Sequence, residues 1–271
     1  MIRSTFQLVP GIGPGRERSL WAAGFRDWSQ VRAAGAKDLP LPALLLPALM
    51  KALDTLETAW SNRDLVTLAT LIPQSEHWRL FGAFSDTAVY LDIETDREEG
   101  VTVVGVLDQE GPKLLMAGRS LSDMKLAAHV PTDCLLITFN GSSFDVPVLR
   151  KEFLQWLPPT AHMDLRHVWT KLGHWGGLKA LEDVQGIGRP AHIKNLDGSH
   201  ASWLWRHARL GDRDALLKLA EYNLYDTVNL RTLAAMGFNK MLEKHGFEEQ
   251  NIPISHRGDV LYDLSKLLLS L

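Results

Sequence analysis

Asp92, Glu94, Asp145 and Asp226 stand in three short apolar-framed contexts: VYLDIET at 89–95, ITFNGSSFDVPVL at 137–149 and EYNLYDTVNL at 221–230. An unpaired buried carboxylate costs several kcal/mol, so ordinary folding needs do not account for four of them, whereas a bound cation would. All-oxygen donor sets suit Mg²⁺ or Mn²⁺, and two such ions about 3.5–4 Å apart can clamp a phosphoryl centre during in-line displacement. Tyr222 precedes Asp226 by four residues, so on a helix the phenol sits one turn from the carboxylate, placed to orient an attacking water or accept its proton. Phosphodiester hydrolysis is the reaction class these residues suit.

The elements that must position them can be read from hydrophobic periodicity. Asp92 and Glu94 are two apart in the strand-like run AVYLDIET, so they share one face while Leu91 and Ile93 share the other. The turn DREEG, the run VTVVGVLD and the short run KLLMAG make an antiparallel meander with it. A helix is expected over 121–130. CLLITFN then reads as a continuously apolar interior strand, and SFDVPVLRKEFLQWL as a helix with Ser143 as its N-cap and Pro147 in its first turn. Asp145 thus opens a helix directly after a strand, a common position for site residues in α/β folds. Residues 162–211 are expected to be mainly helical. A long helix is expected from about Asp212 to Met236, with Gly237 ending it and Leu216, Leu219, Leu224, Val228, Leu230 and Leu233 as its apolar stripe. Four segments follow: a glycine-turn unit at 1–35, a helical connector at 36–85, the α/β domain at 86–240, and a C-terminal segment at 241–271 ending in an amphipathic helix.

At this point the motifs acquire a family likeness. DIET at 92–95, FNGSSFDVPVL at 139–149 and YNLYD at 222–226 resemble, in order, the three exonuclease motifs of the DEDD superfamily. The tyrosine in the third is similar to the DEDDy subgroup, which includes the proofreading domains of family B DNA polymerases. HMDLRHVW and GLKALEDVQGIGR further resemble the bacterial YprB-like ribonuclease H-like family, and the likeness spans roughly 86–237. It implies a ribonuclease H-like fold, with a mixed five-stranded sheet and helices on both faces, and a 3′-to-5′ exonuclease using two divalent cations, Mg²⁺ or Mn²⁺. Carried over by position, Asp92, Glu94, Asp145 and Asp226 would be metal ligands, with Glu94 also near the terminal 3′ hydroxyl, and Tyr222 would position the attacking water. Thr95, Asn140 and Phe144 match positions close to the terminal nucleotide. Single-stranded 3′ ends of DNA or RNA are the implied partner.

PGIGPGRERSLWAAGF at the N-terminus resembles a helix-hairpin-helix motif, whose turn points backbone N–H groups at a phosphate. Gly11, Gly13 and Gly15 permit close approach, Arg16 and Arg18 add charge, and Leu8, Leu20 and Phe25 would be its buried positions. The same hairpin can equally serve as a packing unit.

At 271 residues and 45% apolar the chain can bury one good-sized core, while a net charge of −3 provides no global field for a phosphate polymer. Locally, residues 189–213 hold Arg189, Lys194, Arg206, Arg209 and Arg213 with Trp203 and Trp205 interleaved. That pattern suits either a track for a sugar-phosphate backbone or a solvated helix face. Cys134, the single cysteine, lies inside the run CLLITF and is expected to be a buried, inert thiol. No apolar run approaches membrane-span length and no signal segment is evident, so a soluble cytoplasmic protein is expected. Asp164 and His162 in HMDL are candidates to join the site, though the pattern favours a helix cap and a surface histidine, and His192, His200 and His207 lack zinc-ligand spacing. Two alternatives to the exonuclease remain: a nucleic-acid-binding or scaffold protein with little turnover, and a ribonuclease H-type endonuclease, which offers no reason for Tyr222.

Overall fold

The computed structural model describes residues 1–35 and 37–254. The expected terminal helix over 259–271 lies outside the described residues. Five strands form one mixed sheet: β1 (Ala88–Asp96), β2 (Gly100–Asp108), β3 (Gly111–Met116), β4 (Leu135–Thr138) and β5 (Ala161–Asp164), in the order β3-β2-β1-β4-β5. The first three make the antiparallel meander, and β4 and β5 join parallel to β1 and to each other. β5 falls in a stretch expected to be mainly helical. Its four residues are all buried, and so short an apolar run gives periodicity too little length to separate strand from helix.

Alternation along β1 divides the core. Leu91 and Ile93 pack with Val104, Val106, Leu136, Leu149 and Trp156 on the face covered by helices Asp123–His129 and Asp145–Glu152. Tyr90, Leu107, Ile137 and Met163 face the other way, onto Leu230, Leu233, Phe238 and Trp169. Asp92 and Glu94 lie on that second face, further along β1. The helix after β4 starts at Asp145 itself, with Phe144 rather than Ser143 at its N-cap and no side-chain cap bond.

The long helix runs from Arg213 to His245, passing through Gly237 and ending at Gly246, whose φ of 71° suits glycine. Gly237 has another job. A Cβ there would lie 3.2 Å from Trp169 Nε1 and 3.3 Å from Val168 Cγ1, so the bare backbone lets helix Leu165–Lys171 pack close. No helix among the described residues is long and apolar enough to cross a membrane.

Residues 1–85 are helical and share the larger core: Phe6, Leu20, Trp28, Leu49, Leu53 and Leu68 belong to the same buried cluster as Ile137 and Phe238. The glycine turn is preceded by a 3₁₀ turn at Ile2–Ser4 and followed by helices Pro14–Ala22 and Trp28–Ala33. Leu20 is fully buried, whereas Leu8 and Phe25 are half-buried. Glu17 on the first of these helices is held by the Arg79 guanidinium through bonds of 2.9 and 2.7 Å. Arg79 also bonds Glu76 at 2.7 Å, and Lys171 of the α/β domain reaches the same Glu76 at 2.9 Å.

Candidate metal centre

β1 and β4 pair only from Ala88 to Tyr90. β4 ends at Thr138 while β1 runs on to Asp96, leaving a gap in the pairing at the C-terminal end of β1, where parallel α/β units commonly bind ligands. Three devices fill the gap with carboxylates. β1 carries Asp92 and Glu94 on one face, with a register shift after Glu94. The Asn140 loop turns through a φ of 67° and delivers Asp145 at the helix start, where the Ile93 backbone N–H, between Asp92 and Glu94, bonds its carboxylate. The long helix brings Asp226 in over β2, at a place where β2 has glycine: a Cβ on Gly105, the register partner of Asp92, would lie 2.2 Å from both Asn223 Oδ1 and Thr227 Oγ1.

Ligand oxygens of Asp92, Glu94 and Asp226 all lie within 4.8 Å of one another. Asp145 is outside that trio but close enough to add to the repulsion on Asp92. Burial, then the charge of Asp226 and the other carboxylates, raises both Asp92 and Glu94 well above the ordinary carboxylate range. Burial likewise lifts Asp145 to about 7, against the lowering effect of its backbone bonds from Asp145 and Ile93. Such mutual elevation marks a cluster of hard oxygen donors short of positive charge, the donor chemistry that Mg²⁺ and Mn²⁺ fit. Asp92, Glu94 and Asp226 would hold one such ion.

Tyr222 is buried one turn before Asp226, and its oxygen accepts a 3.0 Å bond from Lys179 Nζ. Burial, followed by the charges of Asp226, Glu94 and Asp92, pushes the phenol well above its usual range, so the protein's own field keeps it a protonated donor. The Lys179 ammonium lies 4.5 Å from the ring centroid. Burial depresses it, a shift opposed by Asp226.

The other expected positions lie on β1, in the loop after β4 and at the N-cap of the helix that follows it. Thr95 is half-buried on β1 and its carbonyl accepts from Ser202 Oγ at 2.9 Å. Asn140 receives a 2.8 Å bond from Arg166 on its side-chain oxygen. Phe144, beside Asp145, is 44% exposed. The glycine turn makes other contacts: Gly11 has a positive φ and lies against Leu45, Gly13 and Gly15 are open to solvent, and the Arg16 guanidinium donates to the Gly11 carbonyl.

Asn223, Lys179 and Glu182 escaped motif reasoning, and Asp164 does more than cap a helix. Asn223, fully buried, donates to Asp92 Oδ2 at 2.9 Å. Asp164 does cap helix Leu165–Lys171 through Arg166 N–H, and it also accepts from Asn140 N–H at 2.8 Å and Ser142 N–H at 3.0 Å, fixing the loop that presents Asp145. His162 is buried rather than on the surface, bonded to Thr138 Oγ1 at 2.8 Å. Lys179, Glu182 and Arg189 come from one segment whose signal was charge placed among the apolar positions of GLKALEDVQGIGR. In the supposed basic track, Lys194, Arg206 and Arg209 are paired with Asp183, Asp96 and Glu99, and Arg189 is buried. Arg213, the fifth cation of the stretch, is exposed at the start of the long helix.

The sheet order, the covering helices and the carboxylates at the strand ends define a ribonuclease H-like α/β protein. A sequence profile of the ribonuclease H superfamily matches residues 89–236, more than half of the chain, and the chain belongs to that superfamily. No curated protein and no solved structure matches it.

Proposed function

We propose that this protein is a metal-dependent 3′-to-5′ exonuclease acting on single-stranded ends of DNA or RNA. The observation that carries the reading is the Asp92, Glu94 and Asp226 cluster, with Tyr222 one helical turn from Asp226 on the same face. In this proposal Asp92, Glu94, Asp145 and Asp226 hold two divalent cations, Mg²⁺ or Mn²⁺. When bound, these ions supply an activated water and stabilise the leaving oxygen. Tyr222 keeps its proton and donates a hydrogen bond to the attacking water, orienting a lone pair toward phosphorus, while Lys179 fixes the phenol by its bond to the phenol oxygen. Glu94 accepts from the terminal 3′ hydroxyl, and Thr95, Asn140 and Phe144 bound the terminal nucleotide.

Purified full-length chain is assayed on 3′- and 5′-labelled single- and double-stranded DNA and RNA, and on a single-stranded circle, with Mg²⁺ or Mn²⁺ and with chelator. Stepwise loss from the 3′ end that requires metal and disappears in Asp92→Ala and Asp226→Ala is expected. Cleavage of the circle would establish an endonuclease instead, and binding without turnover would establish a scaffold. Tyr222→Phe is expected to lower kcat at least about tenfold while remaining folded and metal-binding.

A further inference from the structure

Arg189 sits where a metal centre would not be expected to need a protein cation. Its side chain is 3% exposed and forks onto Glu182, with Nε at 2.5 Å and Nη2 at 2.7 Å. Nη2 also ion-pairs with Asp226, whose side chain is 9% exposed. Glu182 is itself held by Asn229 Nδ2 at 2.9 Å, three residues after Asp226 on the long helix. The result is a closed chain of contacts from Asp226 through Arg189 and Glu182 to Asn229. Nη1 is buried without a protein acceptor, so every bond of the fork serves Glu182 or Asp226.

We propose that Arg189 is a built-in cation and positioning residue of the metal centre: it holds one oxygen of Asp226, turns the other toward the bound ion, and lowers the charge of the cluster. The proposal rests on the reading of Asp92, Glu94 and Asp226 as a divalent-cation site. Two effects of opposite sign follow. The guanidinium opposes an incoming cation electrostatically and occupies an oxygen it might take, so Arg189 weakens metal binding. The rigid fork, anchored through Glu182 and Asn229, also fixes the direction in which Asp226 offers its remaining oxygen, and catalysis depends on such fixed geometry. Affinity and turnover should therefore move apart when Arg189 is removed. A purely structural arginine would lower both.

The test measures Mn²⁺ binding to the full chain by electron paramagnetic resonance, alongside steady-state kinetics on a 3′-labelled single-stranded oligonucleotide. Arg189→Met is expected to bind Mn²⁺ about tenfold more tightly while kcat falls at least about tenfold and KM changes little. Arg189→Lys, which keeps charge without the fork, should hold the Mn²⁺ affinity within about threefold of wild type and still lose kcat. Unchanged or weaker Mn²⁺ binding in Arg189→Met would overturn the proposal. Should that variant not fold, the Glu182→Gln, Arg189→Met double variant replaces it, since both buried charges then leave together. Failure of the double variant to fold would count against the proposal, because it would make the pair structural. Wild-type protein that binds no Mn²⁺ ends the metal reading itself. Wild-type binding with no change in the Arg189 variants ends only this inference.

Discussion

Asp92→Asn should stabilise the metal-free protein and destabilise it relative to wild type once metal is present. The substitution keeps the shape of the side chain and leaves an oxygen for the 2.9 Å bond from Asn223. It removes one charge from a trio whose ligand oxygens lie within 4.8 Å of one another. At an effective dielectric near 20, each such pair of full charges repels by about 3.5 kcal/mol. The upward shift of Asp92 and Glu94, caused by burial and by the neighbouring carboxylates, shows that proton uptake is the metal-free protein's own way of relieving this repulsion. A net gain of about 1–3 kcal/mol in chelator is therefore expected.

Metal reverses the order. Wild-type protein gains about 4.1 kcal/mol at about a thousandfold excess of ion over its dissociation constant. The variant, short of a ligand and of negative charge, gains far less. Urea unfolding followed by circular dichroism, in chelator and in Mn²⁺, gives four midpoints that should cross. A variant less stable than wild type in chelator, or one with the full wild-type metal shift, would refute the reasoning.

Other perturbations probe the supports around the site. Asp164→Ala removes the helix cap and the anchors of Asn140 and Ser142, so it should cost about 2–4 kcal/mol and lower kcat more than Mn²⁺ affinity; wild-type kcat would exclude a role in presenting Asp145. Glu17→Gln removes one of the two carboxylate partners of the buried Arg79 and leaves it Glu76, and should cost about 2–3 kcal/mol in urea unfolding, where a loss under about 0.5 kcal/mol would show that the pair is not holding the helices together. Burial depresses His162 from 6.5 to about 4, so the unfolded chain binds its proton first. The stability tied to this neutral histidine is complete above pH 6.5 and is lost as pH falls toward 4, by up to about 3 kcal/mol. The site carboxylates oppose that trend, so the check is a comparison of slopes: wild type should fall more steeply with acid than His162→Asn, and equal slopes would remove the effect.

How much of this was legible depended on whether position followed from local spacing. Asp92 and Glu94 share a face because strand side chains alternate, and Tyr222 and Asp226 share one because helical residues four apart do, so both pairs could be placed from sequence alone. Gly237 could not, because a glycine near the end of an apolar stripe looks the same whether it stops a helix or lets Trp169 approach. Gly105 is a similar case, since its need for a bare Cα arises from Asn223 and Thr227, more than a hundred residues away. Lys179 and Arg189 were hidden for the opposite reason: a charged residue on a short helix or loop is ordinarily solvated, and only tertiary approach brings Lys179 onto Tyr222 and Arg189, already forked on Glu182 of its own segment, onto Asp226.

The same long-range logic bears on the N-terminal helices. A nucleic-acid-capturing arm attached by a flexible linker would need a polar, unencumbered surface toward the rest of the protein. Here Glu17 is fixed by a two-bond fork from Arg79, and it also accepts from the Phe6 N–H at 2.7 Å and Gln7 Nε2 at 2.7 Å. Trp21 and Trp28 donate their indole N–H groups to the carbonyls of Ser4 and Thr5, each at 2.9 Å. With Leu20 and Trp28 in the main core, these contacts hold the glycine turn in one orientation relative to the sheet. Any phosphate that met Gly13 and Gly15 would do so on a fixed platform. For the same reason, deleting residues 1–35 would uncover core side chains and take Glu17 from Arg79, leaving it Glu76 alone of its two carboxylates, so loss of activity on truncation would report on folding rather than on substrate capture.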